Sequence, residues 1–228
     1  MEIHWNILDA KRKAILPLLK DFMEDGFYLA GGTGLALQYG HRDSNDFDFF
    51  TKNEYDTDVL IEKLKAVFKN HKISITYSTK NTVYCEINET IQLSFFSYNY
   101  ELLKPTIATK HFNIASVEDI ACMKLSAITS RSVEKDYIDL FYIFQKHDLH
   151  DLMEYSRNKY PSFDELTILD ALPYFDDVKR EHIVMKEGDN IPLEKIKIHF
   201  DKLLSEYHRK KELNLVRKKY KKGKDIER

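Results

Sequence analysis

Asp46 and Asp48 stand one residue apart in the run NDFDFF, residues 45–50. On extended backbone, where side chains alternate between faces, both carboxylates point one way while Phe47 and Phe49 point the other. Two neighbouring carboxylates repel, and each raises the other's pKa unless a cation neutralises them. Mg²⁺, a hard ion that takes oxygen ligands and completes its shell with substrate phosphates, is the natural partner, with Mn²⁺ as its substitute. Alone, such a pair more often marks a strand facing solvent; what surrounds it changes that reading.

Immediately upstream lies AGGTGLALQYGHRDS, residues 30–44. Gly31 and Gly32 allow backbone N–H groups to turn toward an anion at the start of a helix expected from about Gly34, and the Thr33 hydroxyl adds a donor. Arg42 has the fork geometry for a bidentate phosphate clamp. His41 reads as a packing or hydrogen-bonding residue, and Ser44 as a group that positions the turn before Asp46. No third glycine completes G-x-G-x-x-G and no G-K-[ST] exists, so neither a dinucleotide fingerprint nor a P-loop fits. The parts together form a triphosphate cradle beside a metal-binding pair, able to present a nucleoside triphosphate to an attacking hydroxyl.

A second constellation lies downstream. Lys124 sits between Met123 and Leu125 on an apolar helix, and Asp136 and Asp139 share one face of the next, with Lys135 on its flank. Without further information these are a snorkelling lysine and a charged helix face. His147 and His150, beside Asp148 and Asp151, lack an H-E-x-x-H core and read as a polar helix start.

The elements that must carry these groups follow from the pattern. An amphipathic helix is expected from about Asn6 to Asp25 with Gly26 as its stop, then a short buried strand in FYLAGG, a short helix closed by Gly40, and the DFDFF strand. A helix capped by Asp56 or Thr57 precedes three β-rich runs, KISITYS, TVYCEIN and TIQLSFFSY, the last two forming a hairpin around Asn88–Thr90. After a short extended FNIAS, Ser116 and Asp119 form a capping-box pattern opening a helix to about Thr129, and helices follow near 134–146, 149–159, 163–174 and 193–220. The expected organisation is α+β, an α/β domain over 1–115 followed by a helical bundle domain over 116–228 that ends in a basic helix.

Composition sets the class. With 228 residues, 43% hydrophobic and 32% charged, the chain can bury a sizeable core and needs no staples. Its two cysteines, Cys85 and Cys122, have no metal spacing and read as buried thiols. The charged N-terminal stretch and the absence of a long apolar run give the expectation of a cytoplasmic protein with no membrane partner. A net charge of −2 supplies no overall basic field, yet His208–Arg228 holds ten Lys/Arg against three acids. That tail is either a solvated helix end or an RNA-phosphate contact with Tyr207 and Tyr220 available for stacking.

The run GGTGLALQYGHRDSNDFDFF resembles the first motif of the AbiEii/AbiGii toxin family, a branch of the polymerase-β-like nucleotidyltransferase superfamily, and KLSAITSRSVEKDYIDLFYI is similar to its later motifs. The likeness runs from about Phe27 to Phe144 and fades in the terminal helices. It implies a polymerase-β-like nucleotidyltransferase fold, a mixed sheet flanked by helices with a helical bundle behind it. It also implies transfer of a nucleoside monophosphate to an acceptor hydroxyl, with RNA (tRNA) as acceptor and an antitoxin protein as partner. Asp46 and Asp48 then hold the metal, Gly31, Gly32, Thr33, Arg42 and Ser44 bind the nucleotide, Lys124 reaches the triphosphate, and Asp136 or Asp139 finishes the site as a base or as an orienter of Lys124. One departure is visible: where the superfamily usually places a third carboxylate on a later strand, this chain has Ser94, with Glu86 on the preceding strand as the other acid in reach. A catalytically weakened nucleotide-binding or interaction protein, and a nucleotidyltransferase acting on a small molecule, are the alternatives.

Overall fold

Seven strands share one mixed sheet in the order β3-β4-β5-β2-β1-β7-β6. They are β1 (Tyr28–Leu29), β2 (Asp46–Thr51), β3 (Ile73–Thr79), β4 (Thr82–Ile87), β5 (Ile91–Ser97), β6 (Ile107–Ala108) and β7 (Asn113–Ile114). The structure, a computed structural model, describes residues 2–226 except 187, 189 and 190, with side chains described through 214. Among the described residues there are eight α-helices: α1 (Ala10–Leu19), α2 (Gly31–Tyr39), α3 (Thr57–Val67), α4 (Val117–Ile128), α5 (Glu134–Phe144), α6 (Leu149–Lys159), α7 (Glu165–Ala171) and α8 (Leu193–Ile226). No helix among them is long and apolar enough to cross a membrane.

Alternation in the strands decides the layers. Phe47, Phe49, Val83, Cys85, Ile87, Leu93 and Phe95 are buried on one face of the sheet, in a core shared with Ile15 and Leu19 of α1 and Leu60 and Leu64 of α3. The opposite face of β2, β5 and β4 carries Asp46, Asp48, Phe50, Gln92, Ser94, Phe96 and Tyr84, of which Phe50 alone packs against a core, the second one described below. A second core gathers Tyr28, Ala30 and Leu35 with the apolar faces of α4, α5, α6, α7 and α8.

β2 lies in mid-sheet, parallel to β5 with Asp46 opposite Gln92 and Asp48 opposite Ser94, and antiparallel to β1. Arg12 ties α1 to its start, donating from Nε to the Asn45 carbonyl (2.7 Å) and from Nη2 to the Thr90 carbonyl (3.0 Å). The β4–β5 hairpin turns on Asn88 and Glu89, both at positive φ.

Two expectations shift. The single helix expected over 6–25 is instead a 3₁₀ turn at Trp5–Ile7, α1, and a second 3₁₀ turn at Lys20–Phe22. Asp9, whose carboxylate accepts from the Arg12 amide, sets the start of α1, and Pro17 removes a backbone donor inside it. The helix expected from about Gly34 begins at Gly31. Others fall where the pattern put them: Ser116 caps α4 by accepting from the Asp119 amide (3.0 Å), and Asp148 caps α6. Asp148 thereby explains the His147–His150 run as a helix start, and both cysteines are buried and free.

The Asp119 carboxylate is wholly buried and accepts from Lys159 Nζ (2.7 Å), the Ser116 hydroxyl (2.7 Å) and the amides of Leu103 and Lys104, so it locks α6 and the 98–104 segment to α4. Removing one member of a buried pair strands the other in low dielectric. Asp119→Ala is therefore expected to lower unfolding free energy by about 3–5 kcal/mol in denaturant titrations, while Asp151→Ala on the exposed side of α6 stays within about 0.5 kcal/mol of wild type.

Candidate active site

The open sheet face, the start of α2 and the α4–α5 pair enclose a cleft of about 450 Å³, a size usual for small-molecule sites. Gly31, Gly32, Thr33, Arg42, Ser44, Asp46, Asp48 and Lys124 all line it. The sequence candidates thus converge from residues 31–48 and from Lys124 on a helix far downstream.

Why glycine at 31 and 32 becomes plain from their neighbours. Gly31 is at φ +61°, and a Cβ built there would lie 2.6 Å from Asp48 Oδ2. A Cβ on Gly32 would lie 2.5 Å from Arg42 Nη2. Side chains at either position would displace the carboxylate or the guanidinium. α2 has no side-chain N-cap, so the amides of its first turn lack both an intrahelical and a side-chain partner where Gly31, Gly32 and Thr33 line the cleft.

Asp46 and Asp48 do share a face, as their parity requires, with Cα atoms about 6–7 Å apart for two strand residues. Burial pushes the Asp48 carboxyl above its ordinary range, the Asp46 charge adds to the rise, and the Ser94 hydroxyl and Lys124 oppose it. Among the described residues, Asp46 and Asp48 are the only acids lining the cleft. Glu86 shares their sheet face, since it pairs with Gln92, which in turn pairs with Asp46, but it sits one strand farther out, beside a neighbouring cavity.

Facing the carboxylates is a buried charge cluster. Lys124 Nζ, 4% exposed as a residue, lies 2.7 Å from Asp136 Oδ1 and 2.6 Å from Asp139 Oδ2. Asp139 also accepts a bidentate pair from Arg42, Nε to Oδ1 at 2.7 Å and Nη2 to Oδ2 at 2.8 Å, and a contact from His41 Nε2 at 2.8 Å. Arg131 donates from Nε to Asp136 Oδ2 (2.9 Å). Burial alone would raise Asp139, but Arg42 and Lys124 outweigh it and hold the carboxyl well below the usual range. Burial likewise opposes the Lys124 charge, and Asp139 and Asp136 overcome it, so its pKa stands above the ordinary lysine value. Burial lowers His41; with Asp139 able only to accept, the neutral ring donates from Nε2 and leaves Nδ1 without a partner. The cluster has a front and a back: Arg42, Lys124 and Arg131 line the cleft, whereas Asp136 and Asp139 lie behind them and do not.

Three expected contacts change on this evidence. The bidentate fork of Arg42 is occupied by Asp139 instead of standing free for phosphate, because a buried guanidinium requires a buried counter-charge. The Thr33 hydroxyl is turned inward, donating to the Asp46 carbonyl and sharing a 2.7 Å hydrogen bond with Ser44, so it fixes the start of β2. Tyr207, expected as an exposed stacking ring, is 5% exposed and belongs to the second core. Lys210 and Lys211 of the basic run pair with Asp148 and Glu165, and the side chains from 215 onward, Tyr220 included, lie outside the described residues.

Sequence reasoning passed over Phe50, Tyr84, Phe96 and Tyr98, which line the same cleft. Phe50 was readable from parity with Asp46 and Asp48; the other three required the strand register.

The profile of the family described as the nucleotidyl transferase AbiEii toxin of type IV toxin–antitoxin systems matches residues 17–213. An uncharacterized protein of Aquifex aeolicus (strain VF5) is 37% identical over 175 residues, 75% of this chain and 84% of that protein. Among solved structures, JHP933 from Helicobacter pylori is similar with a TM-score of 0.56 at 19% identity, over 92% of this chain and 99% of that one. The nucleotidyltransferase toxin MenT4 from Mycobacterium tuberculosis H37Rv is similar with a TM-score of 0.52 at 14% identity, over 85% and 82%. At such identities the structural likeness is one of fold.

Two outcomes follow from the electrostatics. In chelator-treated protein at pH 7, Asp48→Asn is expected to raise Tm by relieving repulsion, about 2–4 °C per kcal/mol recovered, and Mg²⁺ then stabilises wild type more than the variant; a lower Tm for Asp48→Asn contradicts this. Because Asp139 is depressed in the folded state, its contribution is present above the unfolded carboxylate value of about 3.9 and disappears as pH falls through the folded value. Asp139→Asn is thus expected to cost about 3–5 kcal/mol at pH 7 and to converge on wild type in acid, measured by denaturant titration across pH.

Proposed function

The chain belongs to the AbiEii nucleotidyl transferase toxin family, and from that premise we propose that it moves a nucleoside monophosphate from a nucleoside triphosphate to a hydroxyl of RNA, with tRNA as the acceptor. Nucleotidyl transfer and the toxin–antitoxin class come with the family. The acceptor, the metal requirement, the residue roles and restraint by an antitoxin protein are our reading of the site.

The observation that carries it is the placement of two acids opposite four cations, Arg42, Lys124, Arg131 and Lys135, across one cleft that opens at a helix start. The donor set of the acidic wall is hard oxygen, with no thiol or imidazole among the described residues lining the cleft, and the Asp46 charge adds to the burial that raises Asp48, which fits Mg²⁺ or Mn²⁺. Asp46 and Asp48 would hold that ion, whose bound form neutralises charge developing on the transferring phosphoryl group. The free amides at the start of α2 cradle phosphate oxygens, with Gly31 and Gly32 keeping the approach open. Lys124 presents a fixed positive charge to the polyphosphate, and Arg42 and Arg131 add to the same wall. In this reading Asp136 and Asp139 act as orienters of Lys124 and Arg42: both are ion-paired, and neither lines the cleft where an attacking hydroxyl would stand. The acceptor oxygen bonds to the α-phosphorus and gives its proton to water, while the bond to the bridging oxygen breaks and pyrophosphate leaves.

A second reading is favoured by one observation, the absence of a third acid among the described residues that line the cleft: a nucleotide-binding protein with weakened catalysis. Incubation with each labelled nucleoside triphosphate, Mg²⁺ and bulk tRNA separates the two. Labelled tRNA is the expected product, with Asp46→Asn and Asp48→Asn lowering the rate roughly 10²–10⁴-fold. Transfer onto a small-molecule acceptor with tRNA untouched sinks the RNA assignment, and tight nucleotide binding with no product on any acceptor favours the second reading.

A further inference from the structure

The open sheet face has two halves. Asp46, Asp48, Gln92 and Ser94 make one, and the other is aromatic. Tyr77, Tyr84, Phe96 and Phe50 follow one another across β3, β4, β5 and β2 with ring centroids 5.4, 5.6 and 4.9 Å apart, and Tyr98 continues from Phe50 at 5.6 Å. Tyr84 is 37% and Tyr77 50% exposed. Four of the five rings line the cleft itself. Phe50 packs on the second core and the Tyr98 hydroxyl bonds that of Tyr160, so the row is anchored at one end and open at Tyr84 and Tyr77; exposed rings cost solvation unless something covers them, and a row this long exceeds one nucleobase.

We propose that this aromatic row is the track on which the unpaired end of the RNA acceptor stacks its bases, leading its terminal hydroxyl to Asp46 and Asp48; the proposal rests on the nucleotidyl-transfer reading above. The sheet order places the acids between two sides. Gly31 follows β1, on one flank of β2, and approaches Asp48 from there, while Phe96 and Tyr84 lie on β5 and β4, on the other flank. In-line displacement sets the leaving pyrophosphate and the incoming hydroxyl on opposite sides of the phosphorus. With polyphosphate at the glycine turn, the acceptor arrives from the aromatic side. Arg131 and Lys135, which line the same cleft, supply positive charge for its backbone. Aromatic faces take any base, so the track selects single strands over duplex, whose bases are already stacked.

The test measures anisotropy of a labelled unstructured oligoadenylate and of a blunt RNA duplex of equal length, binding to the full chain. Oligoadenylate is expected to bind more tightly than duplex, Tyr84→Leu and Phe96→Leu to weaken it roughly tenfold, and Tyr84→Trp to restore it. Equal affinity for duplex, or unaltered oligoadenylate affinity in both leucine variants, overturns the track. A rise in the KM for the nucleoside triphosphate with oligoadenylate binding unchanged also overturns it, by assigning the rings to the donor's base. Asp48→Asn is expected to keep oligoadenylate binding while losing transfer; undiminished transfer by that variant overturns the reading of the site and leaves the binding result standing.

Discussion

Lys124, held between Asp136 and Asp139, is the interaction on which the rest of the site depends. A lysine ammonium buried to this degree is tolerable only with carboxylates against it, and those carboxylates in turn need the cations they hold. The same Asp139 binds Arg42 and His41, from the loop between α2 and β2, so one carboxylate fixes the α4–α5 pair to the loop that leads into the acidic strand. Charge balance in the interior and geometry at the cleft are therefore one constraint. The cluster keeps a net positive face toward the acids, with Lys124 and Arg42 buried and Arg131 half-exposed.

The glycine turn answers to the same constraint from the other direction. Close packing asks for space at Gly31 and Gly32, because Asp48 and Arg42 press against their backbones; in the proposed reading the same turn also offers its free amides to polyphosphate. A sequence that looks permissive is in fact crowded. Thr33 and Ser44 complete the lock by joining the first turn of α2 to the Asp46 carbonyl, which sets where β2 begins.

Much of this was legible from residue order. Period two put Asp46 and Asp48 on one face before any coordinates, the Ser116–Asp119 box placed α4, and the AbiEii resemblance brought Lys124, Asp136 and Asp139 to the site. What escaped was anything requiring register or distant partners. Parity groups Gln92, Ser94, Phe96 and Tyr98 but cannot say which face of the sheet they join until β5 is known to run parallel to β2. Arg42 pairs with Asp139 across 97 residues, so its fork was read as free. Tyr207 sits in a basic run yet packs inward, because helix packing overrode local composition. The long N-terminal helix divides for a local reason, the cap at Asp9 that starts α1 afresh.

The position of β3 at the rim of the sheet has its own implication. The acids ride on a central strand bonded on both sides, where a shift by one residue would reverse their direction. The hairpin of β3 and β4 hangs at the periphery, its outer strand largely exposed. Substitutions on that hairpin can therefore alter the exposed surface beside the cleft while the central strand keeps its two acids in register.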